Sequence, residues 1–317
     1  MQFTRRRMMT GLASLPLVPV AAAPMAPVQA QAQAQAQTQT QTRAFPVPER
    51  LPLERGDYAQ ARHHFRTHLL HAGPSPEPSP PLGTPPGATR VTYRGGPAGS
   101  IELVAWLSQY DPAGAPKPAV LFLHGGNATG EGHWALMKGY HDAGFVVLHP
   151  SFRGENGQAG NYSGFYDETS DALSAARYLE NLPGIDRDRL FLAGHSNGGT
   201  LALLAAMSRP FRAAAPISAG VNSWRYFNRY GDEIRFDAQD PNEFIMRSSV
   251  CFGPSLKCPT LLLRGAQERP FDADHELLVE RVRSVGTAID KKILPGDHTG
   301  VVPGAVEESI RFFNQFA

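Results

Sequence analysis

The sequence predicts an α/β protein, a mostly parallel central sheet with helices on both faces and a small cap inserted late in the chain. Three observations carry this. Apolar runs of strand length alternate with helical patterns from residue 91 to residue 313. Residues 119–124 are almost continuously apolar, as a strand buried on both faces must be. The segment Gly194-His195-Ser196-Asn197-Gly198 lies between the apolar run Leu190-Phe191-Leu192 and the helical run 200–206, which reads as strand, tight turn, helix.

The chain has 317 residues, 42% hydrophobic and 19% charged, enough for one large domain plus extra segments. Net charge is +1, with no basic run beyond Arg5-Arg6-Arg7, so nucleic acid is not expected as a partner. Residues 1–30 read as an export signal: a basic start, an apolar stretch broken by prolines, then the small-residue site Val28-Gln29-Ala30. Thr4-Arg5-Arg6-Arg7-Met8-Met9 is similar to a twin-arginine signal, which predicts a periplasmic or secreted protein. The prolines argue against a stable membrane-spanning helix. Residues 31–56, Gln/Ala/Thr-rich at their start, have little to bury and predict a disordered tether.

Next comes a helix over 57–72, with Tyr58, Ala61, Phe65, Leu69 and Ala72 on one stripe. His64, His68 and His71 fall on that helix at i, i+4 and i+7. No carboxylate or cysteine completes a metal set there, so a polar helix face is expected and no metal. Residues 73–88, rich in Pro and Gly, predict an extended connection. The α/β domain then spans 91–317. Strands are predicted at 91–94, 101–108, 119–124, 145–149, 190–192, 213–218, 260–264 and 289–294. Helices are predicted at 134–143, 167–182, 200–206, 274–284 and 302–313. Residues 221–257 interrupt the alternation with Trp224, Tyr226, Phe227, Tyr230, Phe236, Phe244 and Phe252. They predict a cap with its own small core, roofing the site. The only cysteines, Cys251 and Cys258, fit either a short-loop disulfide or two buried thiols.

Gly-x-Ser-x-Gly between a buried strand and a helix is a nucleophile elbow, with Ser196 at the helix N-terminus. A serine hydroxyl needs a base, and the base an orienting acid, in the chain order Ser, acid, His. His298, on a short loop after the last strand, is the expected base. Glu268 is the first carboxylate past the strand 260–264 and the first choice of acid, with Asp272 as the alternative. Asp297, beside the base, reads as a turn residue. For the oxyanion, Asn197 should donate its backbone N–H, and Gly126 of the turn His124-Gly125-Gly126-Asn127 a second, with Asn127 as alternative. No phosphate loop, nicotinamide fingerprint or metal set is present, so no cofactor is expected.

Together these residues resemble the α/β-hydrolase superfamily. Within it they are most similar to the catalytic domain of the prolyl oligopeptidase (S9) and dienelactone-hydrolase-related group. The resemblance covers about residues 90–317. It rests on His124-Gly125-Gly126, Ser151-Phe152-Arg153-Gly154, Ile185-Asp186-Arg187-Asp188-Arg189-Leu190, the elbow, the run from Cys258 to Gly265 and the His298 loop. It implies an α/β-hydrolase fold and acyl transfer on Ser196. Peptidases of that group usually carry Gly-x-Ser-Tyr-Gly-Gly and an Asp acid, where this chain has His195, Asn197 and Glu268. The segment before the first strand is also far too short for their β-propeller. These departures favour an exported carboxylic ester hydrolase. The alternative is an S9-like peptidase acting on small peptides, and a third reading is a non-catalytic hydrolase-fold binding module. The expected partner is a small-molecule ester or short peptide.

Overall fold

The computed structural model describes residues 45–316. The export signal predicted at 1–30 and residues 31–44 of the predicted tether lie outside the described residues. Eight strands form one sheet: β1 (Ala88–Gly95), β2 (Ile101–Ser108), β3 (Lys117–Leu123), β4 (Val146–Pro150), β5 (Ile185–His195), β6 (Ala214–Ile217), β7 (Thr260–Gly265) and β8 (Ile289–Leu294). Their order is β1-β2-β4-β3-β5-β6-β7-β8. β1 pairs antiparallel with β2, and β2 antiparallel with β4; every other pairing is parallel. This is the architecture of an α/β hydrolase.

Alternation along the strands splits the core into two layers. Leu121, Leu123, Leu190 and Leu192 pack on one face with α4 (Tyr166–Glu180) and α5 (Asn197–Ser208). Val120, Phe122, Phe191 and Ala193 pack on the other with α3 (Lys138–Asp142) and α9 (Val302–Phe313), where Phe191 stacks on Phe313 at 4.6 Å. The remaining helices are α1 (Tyr58–His64), α2 (Glu131–Leu136), α6 (Ser223–Arg229), α7 (Pro241–Ile245) and α8 (Asp272–Arg283). None of the described helices is long and apolar enough to cross a membrane. β3 leads to β4 on one side and β5 to β6 on the other, so the strand order reverses between β3 and β5, the usual ligand position at the C-terminal edge of such sheets.

Three expectations need correction, and one open choice is settled. The helix predicted over 57–72 ends at His64, because Phe65 turns to extended backbone (φ −87°, ψ 148°). Tertiary partners capture the rest: Leu70 and His71 N–H donate to the Arg235 carbonyl, and His68 N–H to Glu243. His64, His68 and His71 therefore share no helix face. The tether predicted to run to residue 56 is fixed from residue 45, where Phe45 packs on Phe244 at 4.7 Å and Arg281 donates to the Leu51 and Pro52 carbonyls. The helix predicted at 134–143 is two short ones, α2 and α3, meeting at Met137. Cys251 and Cys258 are buried free thiols, not a disulfide; burial pushes their pKa values up to about 12 and about 11. The cap (221–257) does carry its own aromatic core, with Trp224 stacked on Phe244 at 5.3 Å and Phe227 edge-on to Phe236 at 5.0 Å.

The elbow is the tightest part of the fold. Ser196 has φ 55°, ψ −117°, a strained geometry for a residue with a Cβ. A Cβ at Gly198 would overlap the Leu123 carbonyl, and one at Gly194 the Gly198 carbonyl, all backbone atoms that cannot swing aside. Gly198→Ala is expected to cost on the order of 3 kcal/mol or more. A fall in melting temperature of about 6–12 °C, or loss of soluble protein, is the measurable result; an unchanged melting curve would show the elbow to be looser than this geometry allows.

Candidate active site

Four loops, each leaving the C-terminal end of a strand, meet at the site. β5 runs straight into the elbow and α5, so Ser196 stands at the helix N-terminus with the free N–H groups of the first turn around it. His298 sits between β8 and α9. Its Nε2 lies 2.9 Å from Ser196 Oγ, and its Nδ1 lies 2.6 Å from Glu268 Oε1. In the tautomer that the carboxylate imposes, Nδ1–H donates to Glu268 and Nε2 accepts from the serine hydroxyl.

Glu268, just past β7, is held from behind. Its other oxygen accepts 2.6 Å from the Ser218 hydroxyl and 2.7 Å from the Gly265 N–H. Burial alone would raise its pKa. The hydrogen bonds from His298, Ser218 and Gly265 outweigh burial and hold it at about 2. The alternative acid, Asp272, lies elsewhere: it opens α8 and pairs with Arg264. Asp297 closes its own turn, accepting from Gly300 N–H at 2.7 Å.

The turn after β3 lies against the elbow. A Cβ at Gly125 would come 3.2 Å from Ser196 Cβ. Gly126 has φ 72°, and its N–H has no acceptor among the described residues. The Asn127 N–H is already taken, donating 2.9 Å to Glu77. The N–H groups left free for an oxyanion are thus those of Gly126 and Asn197, the latter the first residue of α5.

The residues flanking Ser196 serve the scaffold. His195 Nε2–H donates 2.7 Å to the His298 carbonyl and so ties the base's loop to the elbow. Burial, and then the His298 charge, lower its pKa to about 4, which keeps it neutral. Asn197 Nδ2 donates to the Gly126 carbonyl at 3.1 Å and to Asn127 Oδ1 at 3.0 Å, tying the two loops together. From the cap, the Tyr226 hydroxyl donates 2.7 Å to Glu233, and both reach this network through Asn197 and Asn127.

Sequence reasoning did not find Ser218, Glu77 or Glu233. Ser218 carried one weak signal, its place after the strand beside the elbow, and it too has a positive φ of 50°. Glu233 carried none, since only tertiary folding brings the cap to the β3 loop.

The sequence profile of the prolyl oligopeptidase family matches residues 134–268, a stretch that includes Ser196 and Glu268 and ends before His298. The chain has the α/β-hydrolase fold and resembles the prolyl oligopeptidase family over that stretch. An uncharacterised Bacillus subtilis (strain 168) peptidase, YtmA, is 28% identical to this hydrolase over 147 residues, 43% of this chain and 57% of that protein. Among solved structures, Porphyromonas gingivalis dipeptidyl peptidase 4 matches with a TM-score of 0.57 and 20% identity, over 72% of the hydrolase and 35% of that chain. A Mycobacterium tuberculosis puromycin-hydrolyzing peptidase matches with a TM-score of 0.61 and 18% identity, over 72% and 39%. The hydrolase therefore spans little more than a third of those solved chains, and the likeness to them is one of fold.

Proposed function

We propose that the protein is an exported serine hydrolase that cleaves amide bonds in short peptides through an acyl-enzyme on Ser196. The observation that carries the chemistry is the hydrogen-bonded chain Ser196–His298–Glu268, set at a helix N-terminus beside two free N–H groups. His298 Nε2 takes the serine proton as Oγ attacks the carbonyl carbon. Gly126 and Asn197 N–H groups receive the oxyanion, and Glu268 stabilises the imidazolium. His298 then protonates the leaving amine, and water, activated by the same histidine, releases the acid.

Preferring peptides to esters departs from the expectation drawn from His195 and Asn197. That expectation took both as departures from the peptidase elbow pattern, alongside Glu268 and the short segment before the first strand. Their side chains are instead spent on the His298 carbonyl and the Gly126–Asn127 turn, so they carry no information against a peptide. The peptidase names of the relatives support the same reading. Export rests on the twin-arginine-like pattern in residues 1–30.

The experiment is a panel of aminoacyl and prolyl arylamides, short peptides and acyl esters from short to long, run against purified protein. Arylamide and peptide cleavage at kcat/KM rivalling the esters is expected. Ester cleavage with inert amides would return the esterase reading. A serine-directed fluorophosphonate that leaves Ser196 unlabelled would leave only a binding module.

A further inference from the structure

The segment Pro74-Ser75-Pro76-Glu77-Pro78-Ser79-Pro80 places a proline at every second position. Proline fixes φ and has no N–H to satisfy, so such a run is stiff and extended before it folds. Each of the three residues between the prolines docks on a loop at the C-terminal edge of the sheet, Ser75 and Glu77 on the loop after β3 and Ser79 on the loop after β4. The Ser75 hydroxyl donates to the Asn127 carbonyl. Glu77 Oε2 accepts from the Asn127 N–H at 2.9 Å. Ser79 Oγ accepts from the Asn156 N–H at 3.1 Å, and the Asn156 side chain in turn donates to the Thr129 carbonyl at 3.0 Å. Further along the same segment, the Trp106 and Trp134 indoles donate to the Gly83 and Pro86 carbonyls, at 2.9 Å and 3.2 Å.

We propose that this proline-spaced strap is a clamp for the oxyanion turn, with Ser75 and Glu77 as positioning residues for the Gly126 N–H. The proposal rests on the acyl-transfer reading above. Two adjacent teeth of the strap hold the N–H and the C=O of the one residue that follows Gly126. Asn127 is also fixed through its side chain, whose Oδ1 accepts from Asn197 Nδ2 at 3.0 Å. With its neighbour held at backbone and side chain alike, Gly126 keeps its φ of 72° and its N–H stays unpaired. An oxyanion donor works by being aimed before the charge develops, so fixing the turn acts on the transition state more than on substrate affinity. The rival reading is that the Glu77 carboxylate plugs the hole until substrate displaces it. The carboxylate is on the Asn127 N–H, not on that of Gly126, and a displaceable plug would not account for the grip of Ser75 on the same residue.

The two readings give opposite signs in Glu77→Ala and differ again in Glu77→Gln, whose amide oxygen can accept the same N–H. The measurements are kcat and KM on the best substrate of the panel, the second-order rate of Ser196 labelling by a fluorophosphonate, and hydrogen exchange of segment 124–129. For the clamp, Glu77→Ala should lower kcat and the labelling rate about 10- to 100-fold with KM little changed. It should also speed exchange at Asn127, and Glu77→Gln should recover most of the loss. Glu77→Ala at or above the wild-type rate overturns the clamp, as does a Glu77→Gln variant as slow as Glu77→Ala. Should wild-type Ser196 take no label, acyl transfer itself fails, and the exchange data alone decide: unchanged exchange in Glu77→Ala overturns the clamp, and faster exchange upholds it.

Discussion

Ser196→Ala is expected to abolish hydrolysis of every substrate the enzyme accepts, a loss on the order of 10⁶-fold in kcat, while the protein keeps its fold. The loss is large because attacking oxygen, base and acid act as one unit. Without Oγ, the His298 base has no proton to take, and only the oxyanion donors remain to favour reaction with water. The fold survives because the hydroxyl makes a single hydrogen bond, to His298, and does not help hold the elbow. The positive φ of 55° strains serine and alanine alike. The expected measurement is background-level turnover, no fluorophosphonate labelling, and a melting temperature within a few degrees of wild type. Residual turnover above about one part in 10³ would place the nucleophile elsewhere.

Glu268→Gln is expected to lower kcat on the order of 10⁴-fold. The carboxylate accepts three hydrogen bonds, from His298 on one oxygen and from Ser218 and Gly265 on the other. An amide has a single oxygen. If that oxygen faces Ser218 and Gly265, its NH₂ faces His298 and forces the tautomer that cannot accept the serine proton. If it faces His298, two buried donors are left against an NH₂. Asp272→Asn should spare kcat and cost stability instead, since it weakens the partner of the buried Arg264. The two variants thus discriminate the two candidate acids. Glu268 also sets an acid-stability window. Its pKa of about 2 in the fold lies below the ordinary value of 4.5, so the unfolded chain binds the proton more readily. Its stabilising contribution is complete above about pH 4.5 and is lost as pH falls toward 2. Denaturant melts between pH 6 and pH 2.5 should show Glu268→Gln losing less stability than wild type; equal losses would mean that the carboxylate is not held this way.

How much of this was legible in the sequence can be judged from individual residues. The strands β2 and β8 and helix α9 read at their true bounds, because apolar periodicity reports burial directly and these elements are bounded by turn residues. The N-terminal helix did not. The stripe Tyr58, Ala61, Phe65, Leu69 is genuinely apolar, but after Phe65 its backbone pairs with the cap: Leu69 bridges Phe236, and Glu243 takes the His68 N–H. Periodicity cannot register a partner that lies some 170 residues away. The choice between Glu268 and Asp272 stayed open for a related reason. Both follow the same strand within a few residues, and only the turn geometry decides which faces His298 and which faces Arg264.

The sequence by itself determined the sheet-and-helix alternation, the elbow at Ser196, the loop position of His298 and the glycine turn after β3, because each is a local event: a run, a turn, a residue type without a Cβ. Tertiary structure alone decided which carboxylate is the acid, which of two neighbouring N–H groups stays free, and what His195 and Asn197 are for. Those depend on which side chain spends its hydrogen bonds on which loop. Glu77 reaches Asn127 across 50 residues, and Glu268 reaches His298 across 30. A donor or acceptor that is fully spent inside the fold is no longer available to a substrate, and only the folded chain shows where those bonds are spent.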